Sequence, residues 1–146
     1  MQFTKAEDYG LHGMLYLAAK PLGKIVPLSE IAEEQEVPEK FLAKIFQSLA
    51  KSGLVKSHRG VKGGFSIGKP PDVITVKEVL ESIQGPYFVA KCLRDPELCP
   101  DKDTCAVRRL MKLTQDKILG VFENHSLSDL VAWQGDEDTV QSTASK

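Results

Sequence analysis

The chain has 146 residues, 42% of them hydrophobic and 27% charged, with a formal net charge of −1. That length and balance describe an ordinary globular domain with room for a helical extension, and they exclude a chain too polar to build a core. No run approaches the roughly 18–20 apolar residues of a membrane span, and the acidic opening through Glu7 and Asp8 does not read as a secretory signal, so the expected compartment is the cytoplasm, where thiols stay reduced.

Lys5 to Lys20 reads as a first helix: Tyr9, Leu11, Leu15, Tyr16, Ala18 and Ala19 supply its apolar material, and Pro21 with Gly23 ends it. Gly10 and Gly13 cost helix propensity, which points to close packing against this helix. A short second helix occupies Pro27 to Gln35, with Ile31 and Ala32 facing inward. Val37-Pro38-Glu39 turns the chain, and Pro38 suits a first helical position. A third helix runs from about Pro38 to Ser52. Phe41, Leu42, Ile45, Phe46 and Leu49 give it an apolar stripe, and Gly53 closes it.

Leu54 to Arg59 and Phe65 to Ile67 read as paired strands around the turn Gly60-Val61-Lys62-Gly63-Gly64. Beyond the break at Pro70-Pro71-Asp72, Val76, Val79, Leu80 and Ile83 fall at helical spacing behind Thr75 as N-cap. Pro86 to Asp103 reads as irregular, and a loop of that length inside a compact domain is usually functional or disordered. A long helix follows Cys105 and stops near Asn124. Ser126 to Val131 reads as a short docking helix, and residues 134–146 as a polar, disordered tail.

Charge is unevenly spread. Glu36 to Lys69 carries seven basic residues against two acids, a net of +5 that leaves −6 for the rest. A basic segment in an otherwise acidic chain is a candidate polyanion footprint. It coincides with the order helix, turn, helix, glycine, strand, glycine-rich tip, strand, which describes a winged helix-turn-helix whose second helix enters the major groove. Lys40 and Lys44 stand one turn apart on that helix, suited to phosphates or to guanine O6 and N7. Arg59 sits where the hairpin enters its tip, and arginine either reads guanine or inserts into a narrow minor groove. The candidate DNA contacts are Lys40, Phe41, Lys44, Arg59, Gly60, Lys62, Gly63 and Gly64, the glycines by allowing sharp turning and close backbone approach.

All three cysteines, Cys92, Cys99 and Cys105, lie within fourteen residues, among Lys91, Arg94, Asp95, Glu97, Asp101, Lys102 and Asp103. An odd number in this setting argues against a disulfide framework. The polar surroundings argue against three buried hydrophobes. Converging thiolates suit zinc, copper(I) or an iron–sulfur cluster, and the spacing does not choose among them. No nucleophilic triad, phosphate-cradling loop or paired-carboxylate site is evident, so an enzyme is not expected.

The segments Leu28-Ser29-Glu30-Ile31-Ala32, Phe41-Leu42, Leu49 to Ser57 and Arg59-Gly60-Val61-Lys62-Gly63-Gly64-Phe65 resemble the Rrf-type family of bacterial winged-helix transcription regulators, and the likeness spans about residues 1–133. It implies a DNA-binding repressor on double-stranded operator DNA, working as a homodimer through the long helix after the cysteines. Leu110, Ile118, Val121 and Phe122 agree, forming a stripe on a helix with no other core to face. The resemblance further implies the family's iron–sulfur-binding, IscR/NsrR/RirA-like branch, with a 2Fe–2S or 4Fe–4S cluster held by Cys92, Cys99 and Cys105. Other members lack these cysteines.

Where one branch uses a histidine three residues past the third cysteine, this chain has Arg108. Another branch uses an aspartate early in the first helix, and Asp8 stands there, with Glu7 and His12 as substitutes. The signal implied is nitric oxide, redox state or iron–sulfur status. The alternative is a cluster-free regulator controlled by its thiols or by a partner. The expected fold is mainly α with a small β-hairpin wing: a winged helix-turn-helix over 1–85, a cysteine loop over 86–105, dimerisation and docking helices over 106–133, and the tail.

Overall fold

The computed structural model describes residues 3–135; of the disordered tail expected over 134–146, Gln134 instead ends the last helix with Gly135 as its cap, and residues from 136 onward lie outside the described residues. Seven helices and one hairpin follow in order: α1 (Lys5–Ala18), α2 (Leu28–Glu34), α3 (Glu39–Lys51), β1 (Val55–His58), β2 (Gly64–Ile67), α4 (Val76–Gln84), α5 (Lys91–Arg94), α6 (Ala106–Glu123) and α7 (Leu127–Gln134). Single 3-10 turns at Pro71–Val73 and Pro96–Leu98 punctuate them. The winged helix-turn-helix read from the sequence is therefore present, with element ends within about two residues of expectation.

Helix starts are set by short polar side chains. Thr4, Thr75 and Ser126 each accept a hydrogen bond from the backbone of the third helical residue, whose carboxylate (Glu7, Glu78, Asp129) reaches back to the cap. Such reciprocal pairs satisfy amide groups that a helix start otherwise leaves unpaired.

α1 runs through the middle of the domain and packs against α3, α4 and α7. Met14, Leu17, Ile31, Leu42, Phe46, Leu49, Ile74 and Leu127 are among the side chains that close the core around it. The two glycines of α1 make this approach possible. A Cβ on Gly10 would stand 2.3 Å from Ile83 Cδ1, and one on Gly13 would stand 2.7 Å from Phe46 Cε1. We expect Gly13→Ala to destabilise the fold by about 1–3 kcal/mol through overpacking against the recognition helix. Gly120→Ala, in open space on α6, should stabilise by up to about 1 kcal/mol through helix propensity. Paired denaturant melts check both, and equal behaviour of the two variants would refute the packing account.

β1 and β2 pair antiparallel in the register Val55↔Ile67, Lys56↔Ser66, Ser57↔Phe65 and His58↔Gly64. Val26, ahead of α2, adds a one-residue bridge on the other edge of β2 by exchanging two 2.8 Å hydrogen bonds with Phe65. This bridge explains Gly64: its φ is +155°, and a Cβ there would lie 2.2 Å from the Val26 carbonyl oxygen. Gly63 is similarly crowded by the His58 carbonyl. Both glycines are required by the protein's own backbone, in keeping with the sharp turning expected of them.

α7 docks back on the core. The Leu127 amide donates to the Ile74 carbonyl and the Val76 amide to the His125 carbonyl, each at 2.9 Å, and Leu127 is fully buried. α6 stands differently, with Gln115 as the only buried residue among its eighteen.

Two local expectations need correction. Residues 86–103 are not wholly irregular, because buried Leu93 anchors the turn of helix α5. The apolar stripe of α6 is also split. Ile118 and Phe122 are half-buried, and the Phe122 ring meets Tyr87 edge-on at 5.9 Å, whereas Leu110 and Val121 are exposed.

Candidate nucleic-acid interface and cysteine segment

The exposed side of α3 carries Lys40, Phe41 and Lys44, all open to solvent. The opposite side, with Leu42, Ile45, Phe46 and Leu49, is buried. Phe41 was expected to open that buried stripe, yet it is 42% exposed. It lies at the stripe's edge, where its ring meets Tyr9 of α1 edge-on at 5.6 Å. Together Lys5, Tyr9, Pro38, Lys40, Phe41 and Lys44 line a cleft of about 420 Å³. Sequence reasoning missed Lys5 and Tyr9; their i,i+4 spacing on α1 was the available signal.

At the wing tip Arg59, Gly60, Val61 and Lys62 are exposed, and the Gly63 amide donates to the Gly60 carbonyl at 3.0 Å, closing the turn. Arg59 and Lys62 thus sit on a fixed turn whose strand base is held by His58 Nε2 and Ser66 Oγ at 2.8 Å. Tyr16 of α1 donates to Glu30 of α2 at 2.6 Å, tying the first two helices together. Donation to that carboxylate, foremost, pushes the Tyr16 phenol up to about 12, so it remains a donor throughout the physiological pH range.

The cysteines sit on or beside three successive elements, two short ones and the long α6. Cys92 is on α5, Cys99 follows the second 3-10 turn, and Cys105 is the N-cap of α6. All three are free thiols and half-exposed. Cys105 Sγ accepts the Arg108 amide at 3.4 Å. Beside it lies a recess of about 470 Å³ whose charged lining, Lys102, Asp103, Arg108, Arg109 and Lys112, is net cationic. Arg108 donates through Nη1 to the Lys102 carbonyl at 3.4 Å, while its Nε is buried without a partner.

A net cationic lining with an orphaned donor at a helix N-terminus favours an anionic occupant, so the donor chemistry fits a thiolate-held iron–sulfur group. Among the described residues, however, no three His, Cys, Asp or Glu side chains are gathered closely enough to hold a metal within one chain. Asp8 instead faces His12, Oδ1 to Nε2 at 3.3 Å, with both side chains about half exposed (47% and 50%).

Two contacts fasten the start of the cysteine segment. The Val89 amide donates to buried Gln115 Oε1 at 3.0 Å, and Tyr87 packs on Phe122. Burial, and then the charge of Glu7 on α1, pushes the Tyr87 phenol upward. Glu7 is itself buried, with Oε1 engaged by Thr4 and Oε2 unpartnered. Gln84 at the end of α4 donates to Thr4 Oγ1 at 2.9 Å. The end of α4 is therefore tied to the N-terminus of α1, and the root of the cysteine segment, three residues further on, is fastened to α6.

No helix among the described residues is long and apolar enough to cross a membrane. A helix-turn-helix with an antiparallel wing, extended by a long projecting helix, defines a winged-helix transcriptional regulator. The chain belongs to the Rrf2 family, whose model, described as an iron-dependent transcriptional regulator, matches residues 3–133.

Similar solved structures include CymR (YrzC), the global cysteine regulator of B. subtilis, at 28% identity and a TM-score of 0.73 over 91% of this chain and 98% of that one. The oxidized form of S. aureus CymR is similar at 27% identity and a TM-score of 0.72, over 90% and 96% of the two chains. T. potens IscR is similar at 26% identity and a TM-score of 0.73, over 90% and 87%. Rrf2-family proteins are transcription regulators that bind DNA.

Proposed function

We propose that this protein is a cytoplasmic, homodimeric repressor whose operator affinity is set by an iron–sulfur cluster on the α5–α6 segment. The observation that carries the reading is the set of three free, half-exposed thiols ending at Cys105, beside a cationic recess with an unpartnered Arg108 Nε. Cys92, Cys99 and Cys105 would hold the cluster, with Asp8 of either subunit as the fourth donor. When bound, the cluster supplies a redox- and nitric-oxide-sensitive link among these residues.

The remaining work belongs to the protein. Lys40, Phe41 and Lys44 meet the major groove, while Arg59 and Lys62, carried on the Gly60–Gly64 turn, reach the flanking duplex. The exposed side of α6, from Leu110 to Val121, joins two copies, and half-buried Ile118 and Phe122 brace that helix against its own domain. Tyr87 and Gln115 carry the position of the cysteine segment to α1 and α6, and so to the relative pose of the two recognition helices. A coupling of about 1–3 kcal/mol through these contacts would change operator affinity roughly 5–150-fold.

The test is strictly anaerobic purification with iron and acid-labile sulfide counted per chain, followed by titration with nitric oxide and with oxygen. Coloured protein whose operator affinity changes as the colour is lost is the expected result. Colourless, iron-free protein would defeat the reading.

A second reading, a cluster-free regulator switched by its thiols or by a partner, is favoured by two observations. The cysteines and Asp8 are not gathered into a metal-holding group within one chain, and the neighbours include a global cysteine regulator and an oxidized form of CymR. In that case colourless protein would still change operator affinity on thiol oxidation.

A further inference from the structure

Resting on the operator-binding reading, we propose that the cleft between α1 and α3 reads sequence by seating the C5-methyl group of a thymine against Phe41. Phe41 is a large apolar side chain left 42% exposed on the recognition helix. It is not loosely exposed, because the edge-on contact with Tyr9, with the rings at 89°, fixes the position of its ring. An apolar surface that is already ordered in the free protein loses little entropy when it is covered.

The cleft around it takes three cations, Lys5, Lys40 and Lys44, and no carboxylate among its lining residues. An apolar floor with a purely cationic rim matches an apolar group carried by a polyanion. In the major groove the thymine methyl is the apolar group on the base edges, and it distinguishes thymine there. Phosphates beside that base supply the charge that the lysines meet. The other exposed apolar side chains fit this role less well. Leu110, Leu113 and Val121 stand on α6, away from the recognition helix, and Val61 projects from the wing tip with no cleft around it.

The proposal extends the interface to α1. Lys5 becomes a phosphate contact and Tyr9 a positioning residue that holds Phe41. It also assigns Phe41 to discrimination and the lysines to affinity.

The experiment uses the full chain to select duplexes from a randomised pool, then replaces each thymine of the selected duplex singly by deoxyuridine, which removes only the methyl group. At one thymine per half-site, wild type should weaken by about four-fold, the value of one buried methyl. Phe41→Ala, which removes the contact in both half-sites, should weaken binding of the thymine duplex by about fifteen-fold and bind thymine and deoxyuridine versions equally, whereas Phe41→Leu should keep the preference. Lys5→Ala should keep it too, while reducing the salt dependence by about two phosphate contacts, one per subunit. Wild type indifferent to deoxyuridine at every position, or Phe41→Ala retaining the preference, overturns the proposal while leaving specific DNA binding intact. A pool that yields no selected sequence removes the operator-binding reading together with it.

Discussion

Arg59→Ala is expected to weaken operator binding by about 10–100-fold per half-site with iron and sulfide content unchanged, and Cys99→Ala to abolish the iron and sulfide while leaving a folded dimer whose operator affinity no longer responds to the signal. The first magnitude follows from losing one arginine contact to a base edge or a narrow minor groove, worth about 1–3 kcal/mol. Arg59 is exposed at the wing tip, where the turn is closed by backbone groups of Gly60 and Gly63. Its removal should therefore leave the hairpin register untouched.

Cys99 is half-exposed at the end of a 3-10 turn and forms no disulfide. A substitution there should cost about 0.5 kcal/mol or less in stability. Anisotropy titration on operator DNA and metal analysis, run on both variants, separate reading from sensing. Loss of the cluster in Arg59→Ala, or wild-type behaviour of both variants in both assays, would overturn this division between reading and sensing.

Much of this arrangement was legible in the amino-acid sequence because its signals are local. Thr75 and Ser126 announce their helices by cap chemistry, and Gly53 ends α3 where the apolar periodicity stops. The hairpin follows from its glycine-rich tip. What escaped depends on contacts distant along the chain. Val26 as a one-residue bridge beside the wing shows no strand pattern of its own, since it pairs as a single residue with Phe65.

Phe41 looked like core because it adjoins Leu42 in sequence, and only the angle of α3 against α1 decides that it borders a cleft instead. The burial of Glu7 and Gln115 was equally hidden: the Thr4–Glu7 cap is local but the burial of Glu7 is set by tertiary packing, and Gln115 is held by distant Val89. The cysteine segment was recognised by composition. Its helical turn at α5 rests on one buried side chain, Leu93, too little to leave a periodic signal.

The largest effect on assembly should come from α6. Leu110 and Val121 are 57% and 56% exposed, and Val107 and Leu113 are also open, so this helix presents an apolar strip that its own domain does not cover. A strip of this kind on a projecting helix is a liability in a monomer and an interface in a dimer. The double change Leu110→Glu and Val121→Glu tests which it is.

Each side chain is more than half in water in the single chain, so the folded monomer should lose little stability. In a two-fold interface every substitution occurs twice, and each buried carboxylate without a partner costs several kcal/mol. The variant is therefore expected to be monomeric at micromolar concentration by light scattering, with an unchanged circular dichroism spectrum. Its affinity for a two-half-site operator should fall at least 100-fold, since one recognition helix can no longer bring the other to the duplex. Its affinity for an isolated half-site should be nearly unaltered. That pattern separates lost assembly from lost contact, and a variant that remains dimeric would place the subunit interface elsewhere on the molecule.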